Sequence, residues 1–288
     1  DSAGNISFLF SEPIAGIDFM SPAIVALSLL PSSGTSKIGD TITLSVTADA
    51  AGYALGSLSI NGVATTSMAD AGNGIYFATT SIASGDADRA FGTVPVAVVF
   101  VDAAGNRNAT STAVAANTLK IDANVPTLVS ARTTSTTTIE VSFSEDLLGT
   151  TVTNADFSVA GDTLASPDAF ESSAGTVILT LSSALGTADT PAVSLTGMVQ
   201  DLAGNVAPVA GPITSVDGVA PSITIAPYTL ALTNQDIAVG ASANEGIINT
   251  SLHLFTANGS FSFVATDAAG NAATTTVTIT NIDKTAPV

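Results

Sequence analysis

The chain has no cysteine, no tryptophan and one histidine, and only six lysines and arginines among 288 residues. Each scarcity removes a class of function. Without cysteine there is no disulfide framework and no thiolate nucleophile. Six basic residues against 24 acidic ones leave a net charge of −18. The basic footprint that nucleic acid demands is therefore missing, and an anionic membrane surface would repel the chain. No run of about 20 apolar residues is present, so no membrane span is expected; Ile24 to Leu30 is too short. Aromatic residues are 5% of the chain, too few for the stacking rings of a sugar-binding face. The lone histidine, His253, lies in Thr250-Ser251-Leu252-His253-Leu254-Phe255, where alternation sets it opposite Leu252 and Leu254. One histidine among abundant serines does not make a Ser-His-Asp arrangement. The carboxylate pair Glu145-Asp146 has no cleft placed beside it. No enzyme is expected.

What is present suits β-structure. The hydrophobic 46% is largely Ala, Val, Ile and Leu, with Ser and Thr filling much of the remainder. Small and β-branched residues of this kind favour many short strands. The length points to two or three domains.

Two marks repeat along the chain. Asp-x-Ala-Gly-Asn stands at residues 1–5, 102–106, 201–205 and 267–271. An apolar residue followed by Asp, with Pro four residues beyond it, stands at Ile17-Asp18, Ile121-Asp122, Val216-Asp217 and Ile282-Asp283. The two Asp residues of each pair are 17, 20, 16 and 16 residues apart. The first mark reads as a hairpin turn: Gly and Asn tolerate positive φ, and Asp closes the turn through its side chain. Period-2 sequence flanks it, as in 94–101, 260–266 and 274–280. The second mark reads as a junction, because proline ends a ladder and begins an extended segment.

Cutting at the prolines gives units 22–125, 126–220 and 221–286, the last one short, with 287–288 opening a further unit. Residues 1–21 match only the terminal hairpin of a unit. The chain begins at Asp1, so a mature product or a part of a longer array is expected, or else a terminal strand that pairs with another subunit. In that case Ile6, Phe8 and Phe10 would fill a sheet edge in a neighbour.

The ending Asn281-Ile282-Asp283-Lys284-Thr285-Ala286-Pro287 resembles that of bacterial and archaeal immunoglobulin-like repeats of surface proteins. Asp217-Gly218-Val219-Ala220-Pro221 and Asp122-Ala123-Asn124-Val125-Pro126 are looser versions. Residues 139–145 and 154–159 resemble the immunoglobulin-like domains of S-layer proteins, and residues 37–44 are similar to the second strand of such repeats. The resemblance implies an all-β fold of tandem immunoglobulin-like sandwiches joined by short Asp-x3-Pro linkers. It implies an extracellular, cell-surface protein: an S-layer or filament component that associates with identical copies, with any glycan or cell-wall anchor lying outside this chain. The stalk of a calcium-stiffened adhesin and the spacer of a secreted hydrolase are the alternatives.

Calcium is the expected cofactor, since it takes six to eight oxygen ligands and the junctions gather them. The expected ligand sets are Asp102, Asp122 and Asn124 at the first full junction, Asp201 and Asp217 at the second, and Asp267 and Asp283 at the third. The competing reading is that each Asp only caps its turn. A Lys–Asn isopeptide bond would have to use Lys37, Lys120 or Lys284. The sequons at Asn5, Asn108, Asn249 and Asn258 offer glycosylation sites, at about the frequency chance supplies in so Ser/Thr-rich a chain.

Overall fold

The structure is a computed structural model and describes residues 18–286. The strand-exchange residues Ile6, Phe8 and Phe10, the sequon at Asn5, most of the 1–21 leader and the 287–288 extension lie outside the described residues. The chain divides into two compact units, Asp1–Asn124 and Val125–Val288.

The first unit holds nine strands: β1 (Ile24–Leu30), β2 (Ser33–Lys37), β3 (Thr41–Ala48), β4 (Ala54–Ile60), β5 (Val63–Ala64), β6 (Ala69–Gly72), β7 (Ile75–Ser81), β8 (Val96–Val101) and β9 (Thr118–Asp122). One sheet runs β1-β3-β7-β6 and faces a second, β5-β4-β8. β3 shows how the sequence folds here. In Thr-Ile-Thr-Leu-Ser-Val-Thr-Ala every second residue is apolar, and those residues (Ile42, Leu44, Val46 and Ala48) are the buried ones. Val96, Val98 and Phe100 of β8 close the core from the other sheet, and Phe100 lies 4.6 Å from the Tyr76 ring. After the turn at 102–106 the chain pairs back on β8 through Arg107 and Ser111. It then runs beside β2 as β9, in a parallel ladder from Ser33↔Thr118 to Lys37↔Asp122.

The second unit contains two cores. One comes from β10 (Leu128–Ser135), β11 (Thr138–Phe143), β12 (Phe157–Val159), β13 (Phe170–Ser173), β14 (Thr176–Thr180), β15 (Ala192–Leu195) and β16 (Ala210–Thr214). These form sheets β10-β11-β14-β13 and β12-β15-β16, around Ile139, Val141, Val177, Leu179, Val193 and Leu195. The other comes from β17 (Ile223–Ile225), β18 (Ile237–Ala243), β19 (Ile247–Ile248), β20 (Leu252–Phe255), β21 (Gly259–Thr266) and β22 (Ala272–Ile279). Its sheets are β17-β18-β20 and β19-β21-β22, around Val239, Phe255, Phe263, Val277 and Ile279. Each core lies between two antiparallel sheets that draw early and late strands alternately from the chain, as in β17-β18-β20 against β19-β21-β22, which is the immunoglobulin-like arrangement. The chain is thus a tandem of immunoglobulin-like sandwiches. The third is the smallest, with three strands in each sheet.

The histidine sits where alternation put it. Leu252 and Leu254 are exposed on the outer face. His253 turns inward and stacks on Phe261, with ring centroids 3.7 Å apart.

Candidate functional site

The acidic hairpin is built the same way three times. In each turn the Asp amide donates to the Asn carbonyl, at 3.1 Å for Asp102–Asn106 and 3.0 Å for both Asp201–Asn205 and Asp267–Asn271. The glycine between them has φ of 93°, 89° and 92° at Gly105, Gly204 and Gly270. That is the left-handed region, where a side chain is strained. One carboxylate oxygen of Asp102 accepts from the Ala104 and Asn106 amides, both at 2.9 Å, and the other accepts from Asn106 Nδ2 at 2.8 Å. Asp201 does the same with Ala203 and Asn205. Asp267 accepts from the Asn271 amide and side chain at 2.8 and 2.9 Å.

At Asp102 and Asp267 these donors favour the ionised carboxylate. The Asn106 side chain, backed by backbone amides, holds the Asp102 carboxyl below its usual range. At Asp267 burial opposes ionisation, but the Asn271 side chain and the turn amides outweigh it and the shift is again downward.

The asparagine has a second role. Asn106 Nδ2 also donates to the carbonyls of Asp18 and Met20, at 3.0 and 3.4 Å. Asn271 Nδ2 donates to the carbonyl of Asp217 at 3.3 Å. Each of these hairpins therefore grips the Asp-marked segment that leads into its own sandwich.

The Asp residues that were close in sequence are not brought together. The turn at 102–106 lies beyond the C-terminal end of β8. Asp122 lies at the other end of that strand, beside the segment that leads into it, where Arg89 pairs with Ile121 and the Gly85 amide donates to the Ala123 carbonyl. Asp122 meets Lys120 Nζ at 3.1 Å, and Asn124 Nδ2 donates to Asp88 at 2.7 Å. The expected set Asp102, Asp122 and Asn124 is thus split between opposite ends of one sandwich. The expected pairs are split likewise. Asp201 bridges to Leu147, whereas Val216, next to Asp217, pairs with Arg132. Asp283 follows Ile282, which is held by Asn258 at the start of β21, and Asp267 ends that strand. The reason is mechanical: the last strand carries the chain from one end of the sandwich to the other, about 3.3 Å per residue. A mark and the next mark are separated by that strand.

Other oxygen donors collect at the hairpin corners instead. In the first sandwich Asp49 accepts from the Ala23 amide at 3.0 Å and from Tyr53 Oη at 2.9 Å. The Ala23 amide, then the tyrosine, hold the Asp49 carboxyl low. Burial first, then Asp49 and more distantly Asp102, push the Tyr53 hydroxyl up to about 12. In the second sandwich Glu145 and Asp201 bring carboxylate oxygens within 4.8 Å of each other. In the third, Gly246 lies against Asp267, where a Cβ would come within 2.7 Å of its Cα. The preceding Glu245 keeps Oε1 buried without a partner. The sequence reading left Asp18, Asp49, Glu145 and Glu245 out of its ligand sets. Asp18 carried the junction mark; the signal for the other three was that an acidic residue follows the second long strand of each sandwich.

The described sequons are structural. Asn108 Oδ1 accepts from the Phe100 amide at 2.5 Å while Nδ2 donates to the carbonyls of Val98 and Ala109. Asn249 accepts from the Thr250 and Val264 amides and donates to the Ser262 carbonyl. Asn258 clasps Ile282 from both sides. A glycan on any of the three would replace one Nδ2 hydrogen and leave the other to hold the loop carbonyl. Lys120 and Lys284 pair with Asp122 and Asp236 rather than with asparagine.

Residues 115–216 match the bacterial Ig-like domain family. The match spans the last strand of the first sandwich and the whole of the second. No curated protein matches the chain. Among solved structures, the N-terminal part of the bacterial S-layer protein SbsC is similar at 17% identity and a TM-score of 0.27, over 54% of this chain and 44% of that one. The N-terminal eight Ig domains of Down Syndrome Cell Adhesion Molecule are similar at 13% identity and a TM-score of 0.32, over 90% and 42%. A chimeric titin Z1Z2 tandem is similar at 19% and 0.23, over 65% and 96%. The chain spans less than half the length of the first two.

Proposed function

We propose that this chain is architecture of a cell exterior: a component of a surface layer or filament, made of chained immunoglobulin-like sandwiches and associating with identical copies. The observation that carries the reading is the hairpin grip. A recurring Asp-x-Ala-Gly-Asn turn spends its asparagine on the segment entering the sandwich, at Asn106 and again at Asn271. A turn that fixes the incoming chain suits a protein whose purpose is to hold a set geometry. The match of residues 115–216 to a bacterial Ig-like family and the net charge of −18 fit a solvated exterior.

Calcium is the cofactor we propose for the same corners. The ligand sets are regrouped: Asp18, Asp49 and Asp102 in the first sandwich, Glu145 and Asp201 in the second, and Asp217, Glu245 and Asp267 in the third. Calcium would add oxygen coordination to carboxylates gathered at the turn. At a hundredfold excess over Kd it would raise stability by about 2.7 kcal/mol. Electron microscopy of the native surface, with and without chelator, tests both parts. An ordered layer or filament carrying this chain is expected. An isolated rod without self-contacts would replace the reading with that of an adhesin stalk or a spacer. Unchanged melting on chelation in calorimetry would sink the calcium assignment.

A further inference from the structure

The third sandwich leaves one sheet edge open. β22 is the terminal strand of its sheet and pairs with β21 along all eight residues. Among the described residues, no backbone hydrogen bond reaches residues 272–279 from the opposite side. The matching edge of the first sandwich is closed, because β9 there carries β2 as a five-residue parallel ladder. In the third sandwich the corresponding segment is held past the end of β22, at Asn281 and Asp283, where Asn281 Nδ2 also donates to the Thr229 and Ala231 carbonyls at 3.3 and 2.7 Å. The Thr233 amide donates to the Asn281 carbonyl at 2.9 Å, and the Asp283 amide donates to the Thr233 carbonyl at 2.8 Å.

Before Thr233 the segment stands away from β22 and leaves a groove of about 510 Å³. Ile225, Pro227, Tyr228 and Leu230 form one bank, Thr276 and Val277 the other, and no charged side chain lines it. Leu230 is 78% exposed, and Leu232, two residues on, is 75% exposed. An open edge beside exposed apolar residues is a template for one more strand.

The strand that would fit is specified by β22. Val277 and Ile279 face the core, while Thr274, Thr276 and Thr278 face solvent. A strand added alongside needs apolar residues at alternate positions on the groove side and a polar residue beside the threonine row. Ile6-Ser7-Phe8-Leu9-Phe10, outside the described residues, has apolar Ile6, Phe8 and Phe10 at alternate positions, with Ser7 and Leu9 between them and Ser7 as the polar residue. It follows Asp-x-Ala-Gly-Asn at 1–5 just as β22 follows the same pentapeptide at 267–271. Charge agrees. Two copies of a chain carrying −18 repel, and residues 2–11 are uncharged, as is the groove. The two surfaces can meet without opposing carboxylates.

We propose that residues 6–10 of one copy add as a strand to the free edge of β22 in a second copy, with Ile6, Phe8 and Phe10 seated in the groove against Tyr228 and Leu230. The contact is heterologous, so it propagates copies head to tail. It rests on the architectural reading above and names the joint by which copies associate.

Sedimentation of the full chain over a range of concentrations tests it, together with Phe8→Asp and Leu230→Lys. Leu230 is exposed, so its variant keeps the fold, which unchanged melting would verify. Concentration-dependent oligomers are expected, with association weakened about tenfold or more by either variant, since each puts a charge into an apolar groove. The absence of cysteine allows a second readout. Ser7→Cys copies are mixed with Thr274→Cys, Thr276→Cys or Thr278→Cys copies under dissolved oxygen as the oxidant, and a disulfide between the two kinds can form only between molecules. Such a bond at one or two of the three positions is expected, located by mass spectrometry. Oligomers that neither variant weakens and that give no mixed disulfide would overturn this joint while leaving the self-assembling reading intact. A chain that stays monomeric at every concentration would overturn the joint outright. The architectural reading would then be decided by microscopy of the native surface.

Discussion

The first and third sandwiches begin from the same plan and end differently at one edge. In the first, nine strands surround a core that includes Tyr76 and Phe100, and the last strand is sealed by the parallel partner β2. In the third, six strands surround a core resting on Phe255 and Phe263, and β22 has a neighbour on one side. Both keep the acidic hairpin and its asparagine grip. The turn chemistry is therefore independent of how much sheet stands behind it, while the edge is set by the segment between β1 and β3 in the first sandwich and between β17 and β18 in the third. In the first sandwich that segment is Ser33-Gly34-Thr35-Ser36-Lys37, small enough to lie flat against β9. In the third it carries Pro227, Tyr228 and Leu230 and stands off.

The comparison breaks first at the cores. Phe100→Ala and Phe263→Ala each remove a fully buried ring and are expected to cost about 3–5 kcal/mol. In the smaller third sandwich that loss consumes most of the local stability. Calorimetry of Phe263→Ala should show the third sandwich melting early while the rest persists. A single shared transition would mean that the sandwiches are not separately stable.

The grip comes next. Asn106→Ala and Asn271→Ala should each cost about 1–2 kcal/mol by denaturant titration. They should also hasten proteolysis after Asp18 and after Asp217 respectively. Equal costs would show that the grip is insensitive to the sheet behind it; a larger cost at Asn271 would show the third sandwich leaning on it.

The smallest effect is in the response to pH. Asp49 and Asp102 in the first sandwich, and Asp267 and Asp283 in the third, have folded-state pKa values below the usual 3.8. Their contribution is complete above about pH 4 and is lost as pH falls through the lowered values. Both sandwiches should therefore weaken in acid. The first gains an alkaline limb through Tyr53, whose pKa rises from 10.0 to about 12. That stability is complete below pH 10 and is lost as pH rises through about 12. Tyr53→Phe should remove this limb in melts followed up to strong alkali.

Much of the fold was legible because period-2 patterns such as Ile42, Leu44 and Val46 state both strand and facing. The hairpins were legible because Asp, Gly and Asn each have a distinct duty in a tight turn. The ligand grouping was not. Asp102 and Asp122 lie close in the chain, and only a strand laid out at full length shows that they end up far apart. The β2 ladder was not legible either, since Ser-Gly-Thr-Ser-Lys has no apolar alternation and is a strand because β9 lies next to it. The loop-holding role of Asn108, Asn249 and Asn258 was not legible either, because an asparagine amide that secures a loop looks, in sequence, the same as any other in a sequon.

The parallel pairing of β2 with β9 has a consequence under tension. The chain enters the first sandwich at the hairpin end and leaves at Asp122, at the opposite end. Pulling on the two exits drags β2 and β9 lengthwise past each other, so the ladder bonds from Ser33 to Lys37 are loaded in shear and must fail together. Among the described residues the third sandwich has a single backbone bridge in that position, Thr233–Ile282, helped by the Asn281 side chain, so its exit segment is expected to yield at lower load. Single-molecule extension should record the third sandwich rupturing first and the first sandwich last of that pair, making one end of the chain a stiff link and the other a fuse.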